Sequence, residues 1–463
     1  MKSLKTGEET TNFSIILEDG DPALNPANRP LLAEAIEMII GTANGYQVPF
    51  AAIPLLEHQG IPEQNLYKCL FGRDSLLISD LLHGARPDLR LNVLCALASF
   101  QGKVFDPISE EEPGRIPHEV RDSDDPVAIK LTEQGGWKFP YYGSIDATLI
   151  WMRLLHAEAL VRPEILDIEV FGISLWRRSL AATEWILNRL GSQSGLIESN
   201  RANPRGIENQ VWKDSGDSYM HLDGTLARGD STASVETVGE AYDALLSAIF
   251  IQGIRPNPNW PLPVAELERV ARSLQISLIE KFWLGDNFAL ALERDGSGKS
   301  IQMKSIASNQ GRLLDSKIIS GQEFTKYRQA IATAVTDSTL LGESGLRTLS
   351  NNHLSYRPGG YHTGSAWPFD GVLVARGLLK QGFDNESVLI QRKTQVAIES
   401  SGGYPEFFRG DWPASDLINR YIHDVKSIDA ARNAERFNRV AQPPQIIQGW
   451  TVAAYSWLTE QVK

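Results

Sequence analysis

Segments with apolar residues every three or four positions alternate along this chain with long polar connections. That alternation constrains the fold more than any other feature. Phe171, Leu175, Ala182, Ile186 and Leu190 keep a helical period, as do Val235, Val238, Tyr242, Leu245 and Ile249, and Ile446, Trp450, Ala453 and Trp457. Further helices are expected near 31–42, 74–84, 88–100, 145–160, 263–282, 323–341, 366–380, 386–399 and 413–426, about a dozen in all. Ser144 before Asp146 and Ser234 before Glu236 put a capping hydroxyl ahead of a first-turn acid. Strand alternation is weak apart from short pieces such as Phe288–Glu293. The connections at 101–143, 191–233, 284–321, 342–364 and 401–412 are long and rich in Gly, Asp, Arg, His and Trp, whereas His83–Arg86 and Gly382–Glu386 are tight turns. Loops beyond about 15 residues are uncommon in compact domains unless they carry function. Long and short links in alternation predict an all-α ring of helical hairpins with the long loops at one end. A helical solenoid would need a fixed sequence period, and none shows.

Composition narrows the partners. A net charge of −12 over 463 residues argues against nucleic acid or an anionic membrane as the main partner. No apolar run is long enough to span a bilayer, and the N-terminal stretch, apolar only over Phe13–Leu17, does not read as a signal peptide. Cys69 and Cys95 are too few for a disulfide framework or a cysteine metal site, so a cytoplasmic setting is expected. A size of ~150 residues per domain gives a starting estimate of about three domains. No linker divides the chain, however, and the reading becomes an extension at 1–29 followed by a single barrel over 30–463. Eleven tryptophans stand out. Trp176, Trp185 and Trp457 read as core, while Trp137, Trp212, Trp367 and Trp412 read as walls of a polar-ligand pocket.

The polar clusters in the long loops carry the candidate chemistry. Arg73 and Asp74 open a helix; on spacing alone Asp74 is best read as a partner of the helix N-terminus, although the pair could also hold ligand hydroxyls. His118, Glu119 and Arg121 precede Trp137, Tyr141, Tyr142 and Asp146, an arrangement of aromatic faces and charged groups that suits the C–H face and hydroxyl rim of a sugar. Any one of those aromatics can equally plug the end of a helix. Asp214 and Asp217 lie three apart beside Trp212, and a carboxyl packed on an indole loses solvation and gains a proton near neutrality. A solvated charged loop is the competing reading there. His353 and His362 are too loosely spaced for a metal pair, and no metal-binding helix motif occurs, so neither metal nor cofactor is expected. Glu406 lies between Pro405 and the aromatics Phe407, Phe408 and Trp412, although an exposed Glu is common enough in loops. Nucleotide-cradling and serine-nucleophile motifs are absent. Carboxylates among tryptophans suit glycoside hydrolysis by an acid and a base on opposite faces of the sugar.

Seven of these segments, FGRDS, RIPHE, YYGSIDAT, NQVWKDS, VETVGEAYDAL, SYRPGGYHTGSAWPFD and GGYPEFF, stand in the order found in glycogen-debranching amylo-α-1,6-glucosidases. The chain from Phe71 to about Trp450 therefore resembles the six-hairpin glycosidases. The resemblance implies an (α/α)6 barrel and inverting hydrolysis of a terminal α-glucosidic bond without a metal. By motif, Asp214 resembles the general acid and Glu406 the general base. Arg73 and Asp74 resemble the pair that grips the terminal glucose, with His118, Glu119, Tyr142, Asp146, Trp212, Lys213, His362 and Trp367 as further lining. Val211, Val238, Arg312, Asp315 and Phe369 depart from the family pattern, so the resemblance supports the reaction type more strongly than it supports glycogen as the substrate. A small α-glucoside or an oligosaccharide is the expected partner. A phosphorylase on the same barrel and a carbohydrate-binding protein without catalysis are the competing readings.

Overall fold

The structure is a computed structural model that describes residues 26–53, 66–192, 194–227, 229, 231–257, 263–295, 297–410 and 445–461. Helices dominate the described residues: α1 (Leu32–Ile39), α2 (Gly72–Leu81), α3 (Asp88–Ser99), α4 (Pro126–Gly135), α5 (Asp146–Val161), α6 (Leu175–Leu190), α7 (Val235–Ile254), α8 (Val264–Ser277), α9 (Thr325–Thr336), α10 (Pro368–Lys380), α11 (Asp384–Glu399) and α12 (Gly449–Gln461). Around one axis, α2 packs on α5, α5 on α7, α7 on the 3-10 helix Ser308–Leu314, that helix on α10, α10 on α12, and α12 back on α2. The ring thus closes between the first and last of its six elements. The helices α3, α6, α8, α9 and α11 each follow an inner element on the outside, and α1 packs on α12.

The burial pattern explains who stands inside. Nine of the ten residues of α2 are buried, and α10 and α12 are covered on nearly every face, as helices enclosed by others must be. By contrast, α8 buries only Leu267, Ala271 and Leu274, a single stripe at i, i+4 and i+7. Two glycines allow close approaches in the ring. A Cβ at Gly72 would lie 2.1 Å from the Pro117 carbonyl oxygen, and one at Gly311 would lie 2.7 Å from Val374 on α10.

Several expectations need correction. The stretch 101–143 contains α4, which Asp125 caps by accepting the Val127 N–H, with Pro126 at its first position and Gly136 in the left-handed conformation at its end. The stretch 284–321 contains the fourth inner element, a 3-10 helix rather than a loop. Strands occur as short pairs, and the largest sheet joins Ser231–Ser234, Ala291–Arg294 and Ser300–Met303 antiparallel, close to the expected Phe288–Glu293 piece. Ser144 does accept the Ala147 N–H at 3.3 Å, but the Ser234 hydroxyl donates to the Glu236 carboxylate instead of capping α7. Trp185 is buried, whereas Trp176 and Trp457 are only partly so. The expected helix at 413–426, Trp412 and most of the 1–29 extension lie outside the described residues. No helix among the described residues is long and apolar enough to cross a membrane.

Candidate active site

The six inner elements all begin at the same end of the ring. Arg73, in the first turn of α2, reaches Asp146 at the start of α5. Asn309, at the start of the 3-10 helix, donates to Glu236 in the first turn of α7 at 2.9 Å. Phe369, at the start of α10, stacks on Trp450 at the start of α12 with centroids 3.9 Å apart. A helix N-terminus carries unsatisfied N–H groups and partial positive charge, so six of them converging make a place where buried carboxylates are tolerated.

Arg73 is the hub. It donates from one terminal nitrogen to Asp146 at 3.3 Å and from the other to Asp214 at 3.3 Å, while its Nε lies 3.7 Å from Asp74. Its guanidinium also lies over the Trp450 ring at 5.8 Å. Three carboxylates share one cation, so none is fully neutralised. Burial pushes Asp74 up to about 7; Arg73 opposes that rise, and the charges of Asp214 and Asp146 add to it. Asp214 is raised by burial too, with Arg73 holding it down and Asp146 pushing it up. The Asp214 side chain keeps 30% of its surface open, against 4% for Arg73, so within this cluster it is a carboxyl that a ligand can reach.

Glu406 approaches from the loop that follows α11. Its Oε1 accepts the Tyr361 hydroxyl at 2.8 Å, and its Oε2 accepts the Gln445 N–H at 3.2 Å. Burial lifts its pKa to about 7; the two donors pull it down, and the charges of Asp214 and Asp74 raise it again. Those mutual influences place Glu406 in one electrostatic field with Asp214. Tyr361 is held well above its ordinary range by burial, so it remains a proton donor.

An aromatic wall adjoins both acids. His362 stacks on Trp367 at 5.2 Å, Trp367 stacks on Phe407 at 5.2 Å, and Trp212 meets His362 edge-on at 5.5 Å. Burial, with Lys213 and Arg73 nearby, lowers His362 far below its usual value and keeps the imidazole neutral. Its Nδ1 contacts Ser215 and Ser218 at 2.9 and 3.0 Å, and its Nε2 has no partner among the described residues. Lys213 lies over the Trp212 ring at 5.0 Å and donates to the Thr348 carbonyl at 2.6 Å, with burial lowering its pKa to about 8.

The structure thus brings together Arg73, Asp74, Asp146, Asp214, Glu406, Trp212, Lys213, His362 and Trp367. His118 sits at the margin, edge-on to Phe71 at 5.5 Å and lowered by burial and then by Arg73. Two expected lining residues are turned elsewhere. Glu119 pairs with Arg121 and receives the Cys69 thiol at 3.9 Å, and the Tyr142 hydroxyl donates to the Phe100 carbonyl at 2.7 Å. Trp137 lies on Tyr141 at 4.2 Å and donates to the Arg205 carbonyl. Asp217 accepts from Ser215 at 2.7 Å, and His353 contacts Ser305 at 3.0 Å. Sequence reasoning did not single out Tyr361, Trp450 as a stacking surface, or the pairing of Glu240 with Arg312. A tyrosine within the quoted SYRPGGYHTGSAWPFD stretch was the available signal for the first. Among the described residues no group of three or more His, Cys, Asp or Glu is arranged to hold a metal ion.

The fold matches solved structures at low identity. The GH63 mannosylglycerate hydrolase from Thermus thermophilus, in complex with Tris and D-glycerate, superposes with a TM-score of 0.59 and 13% identity over 93% of this chain and 100% of that one. Its complex with glucose matches with a TM-score of 0.59 and 12% identity over the same shares. A glycosidase variant in complex with glucose matches with a TM-score of 0.54 and 14% identity over 96% and 99% of the two chains. The chain shares their (α/α)6 barrel fold. No family model and no curated protein matches its sequence.

Proposed function

We propose that this protein is an inverting glycoside hydrolase that cleaves a terminal α-glucosidic bond. One observation carries the reading: a half-buried Asp214 that a ligand can reach and a buried Glu406 share one site, both raised by desolvation and bordered by Arg73, Asp74 and an aromatic wall. The fold shared with glycosidases that bind glucose supports a carbohydrate substrate. In this reading Asp214 gives its proton to the glycosidic oxygen as the C–O bond breaks. Glu406, oriented by Tyr361 and Gln445, takes a proton from the water that attacks the anomeric carbon from the opposite face. Asp74 and Arg73 hold the hydroxyls of the terminal sugar, and Trp367 and His362 shape the pocket. The substrate is a small α-glucoside or short oligosaccharide, and no step calls for a metal. Cys69 and Cys95, both buried and unpaired, suit the cytoplasm.

The order of acid and base follows the motif resemblance, and leaving-group chemistry tests it. Asp214→Asn should lose a factor of roughly 10²–10⁴ on an ordinary glucoside. It should keep most turnover on α-glucosyl fluoride, whose leaving group needs no proton. Glu406→Gln should lose turnover on both substrates. Full activity of either variant on an ordinary glucoside would remove that residue from the mechanism, and a retained anomeric configuration in the product would contradict inversion.

A further inference from the structure

Lys213 precedes Asp214 in the chain, yet its side chain is anchored to a different element. Asp214 bonds to Arg73 on α2, whereas the Lys213 ammonium donates to the Thr348 carbonyl at 2.6 Å. Lys213 is only 1% exposed, so a sugar in the pocket does not meet it, and among the described residues it forms no ion pair. An ammonium is costly to bury, and one carbonyl offsets only part of that cost; what the bond supplies is a fixed geometry. Thr348 is itself firmly held. Its N–H donates to the Ser365 carbonyl at 2.9 Å, and its hydroxyl accepts the Gly364 N–H at 3.0 Å and donates to the Ser365 carbonyl at 3.1 Å. Beside it Arg347 pairs with Ala366, and Ala366 pairs with Phe408 through two hydrogen bonds of 2.8 Å. Glu406 lies two residues before Phe408, and the carbonyl of its donor Tyr361 is tied to the Trp367 indole N–H at 2.8 Å. The base and its orienting tyrosine therefore stand on one hydrogen-bonded ladder, and Lys213 fastens the acid loop to the ladder's far strand. On the other side of Asp214, Ser215 meets His362 Nδ1 at 2.9 Å, so the acid is gripped through both of its neighbours.

We infer that Lys213 is a positioning residue: it sets the separation of Asp214 from Glu406 by docking the acid loop on the ladder that carries the base. The inference rests on the reading of Asp214 as the acid. Without the ammonium the loop is held only at Ser215 and through Arg73, and Asp214 moves off the line to the glycosidic oxygen. A misplacement of about 1 Å costs about 10²-fold in rate. The Thr348 carbonyl also receives the Ser308 N–H at 3.4 Å, so removing the lysine leaves that acceptor with a donor.

The test uses the full-length chain with Lys213→Met, Asp214→Asn and the double variant. Lys213→Met should lower kcat on an ordinary α-glucoside by about tenfold to a hundredfold, with KM within about threefold. Turnover of α-glucosyl fluoride, which needs no acid, should stay within about threefold of wild type. On the glucoside the double variant should be no worse than Asp214→Asn alone, because a residue that acts through the acid then has nothing left to position. A merely structural role would lower both substrates alike and add its full loss to that of Asp214→Asn. Either result overturns the inference. Lys213→Gln, whose amide falls one bond short of the carbonyl, gives the same readouts should Lys213→Met fail to fold. Crystal structures of the wild type and the variant read the link without substrate: the separation of Asp214 from Glu406 should change by about 1 Å or more. An unchanged separation overturns the positioning role whether or not the wild type hydrolyses a glucoside, whereas an inactive wild type with a changed separation overturns the hydrolase reading alone.

Discussion

In the proposed reading, Tyr361 is the side-chain donor that tunes Glu406. Its hydroxyl bonds to Oε1 at 2.8 Å and lowers a pKa that burial otherwise raises. A hydrogen bond to a charged group contributes about 1.5–3 kcal/mol, so its loss is felt as a shift of about one pH unit or more. Tyr361→Phe should therefore raise the pKa of Glu406 and move the acidic limb of kcat/KM to higher pH, with at least a tenfold loss at pH 6. An acidic limb that stays in place would show that Tyr361 does not tune this carboxyl. Composition marked Asp214 and Glu406 only as candidates, because each sits near aromatics that a solvated loop could equally carry, and their roles as acid and base came from the motif resemblance. The partner of Glu406 lies 45 positions away, and that of Glu240 lies 72 positions away. No local pattern reports which loop folds across which, so those links emerge only once the ring is closed.

Among the elements, the hairpins were legible and the irregular pieces were not. Apolar periodicity marks α6, α7 and α12 because each buries residues over three or more turns. It fails for α4, which buries only Val127 and Ala128, although the caps at Asp125, Pro126 and Gly136 were there to be read. It fails again for Ser308–Leu314, where all seven residues are buried and no polar face remains to set a period. The close packing of α2 against the loop before Tyr141 makes a prediction at this scale. A methyl group at Gly72 would meet the Pro117 carbonyl at 2.1 Å, a backbone atom that cannot rotate away. Gly72→Ala should destabilise the fold by about 1–3 kcal/mol and displace the adjacent Arg73 and Asp74. The thermal midpoint should fall, and KM for a glucoside should rise more than kcat falls. Unchanged values of both would mean that the loop yields without cost.

For the molecule as a whole, the two ends of the barrel respond to pH in opposite directions. At the end of the ring where the inner helices finish, Asp80 binds Arg90 at 3.0 Å and Arg376 at 2.8 Å, while Asp315 binds Arg376 at 2.7 Å and Lys380 at 2.6 Å. Burial alone would raise both aspartates, but the cations outweigh it: Asp80 falls to about 2, and Asp315 falls further. A carboxyl lowered by folding stabilises the native state above its unfolded pKa, and that contribution fades as pH drops through the folded value. For Asp80 the window runs from about 4 down to about 2 and is worth about 2 kcal/mol. At the mouth the sign reverses. Asp74 and Glu406 rise to about 7. Groups raised by folding favour the native state at low pH, and their contribution is lost as pH climbs from about 4 through those values. The urea midpoint should therefore peak in mildly acidic solution, near pH 4–5, and decline on both sides. Asp74→Asn should flatten the decline toward neutrality and leave the acid side alone, because a neutral side chain no longer resists ionisation there. Asp80→Asn should cost about 3–5 kcal/mol at pH 7, because it leaves Arg90 and Arg376 short of a buried partner, and the deficit should shrink as pH approaches 2. A midpoint that rises steadily to pH 8, with the same slope in Asp74→Asn, would mean that the carboxyls at the mouth take up no proton on folding, and the site would then have to handle its proton by another route.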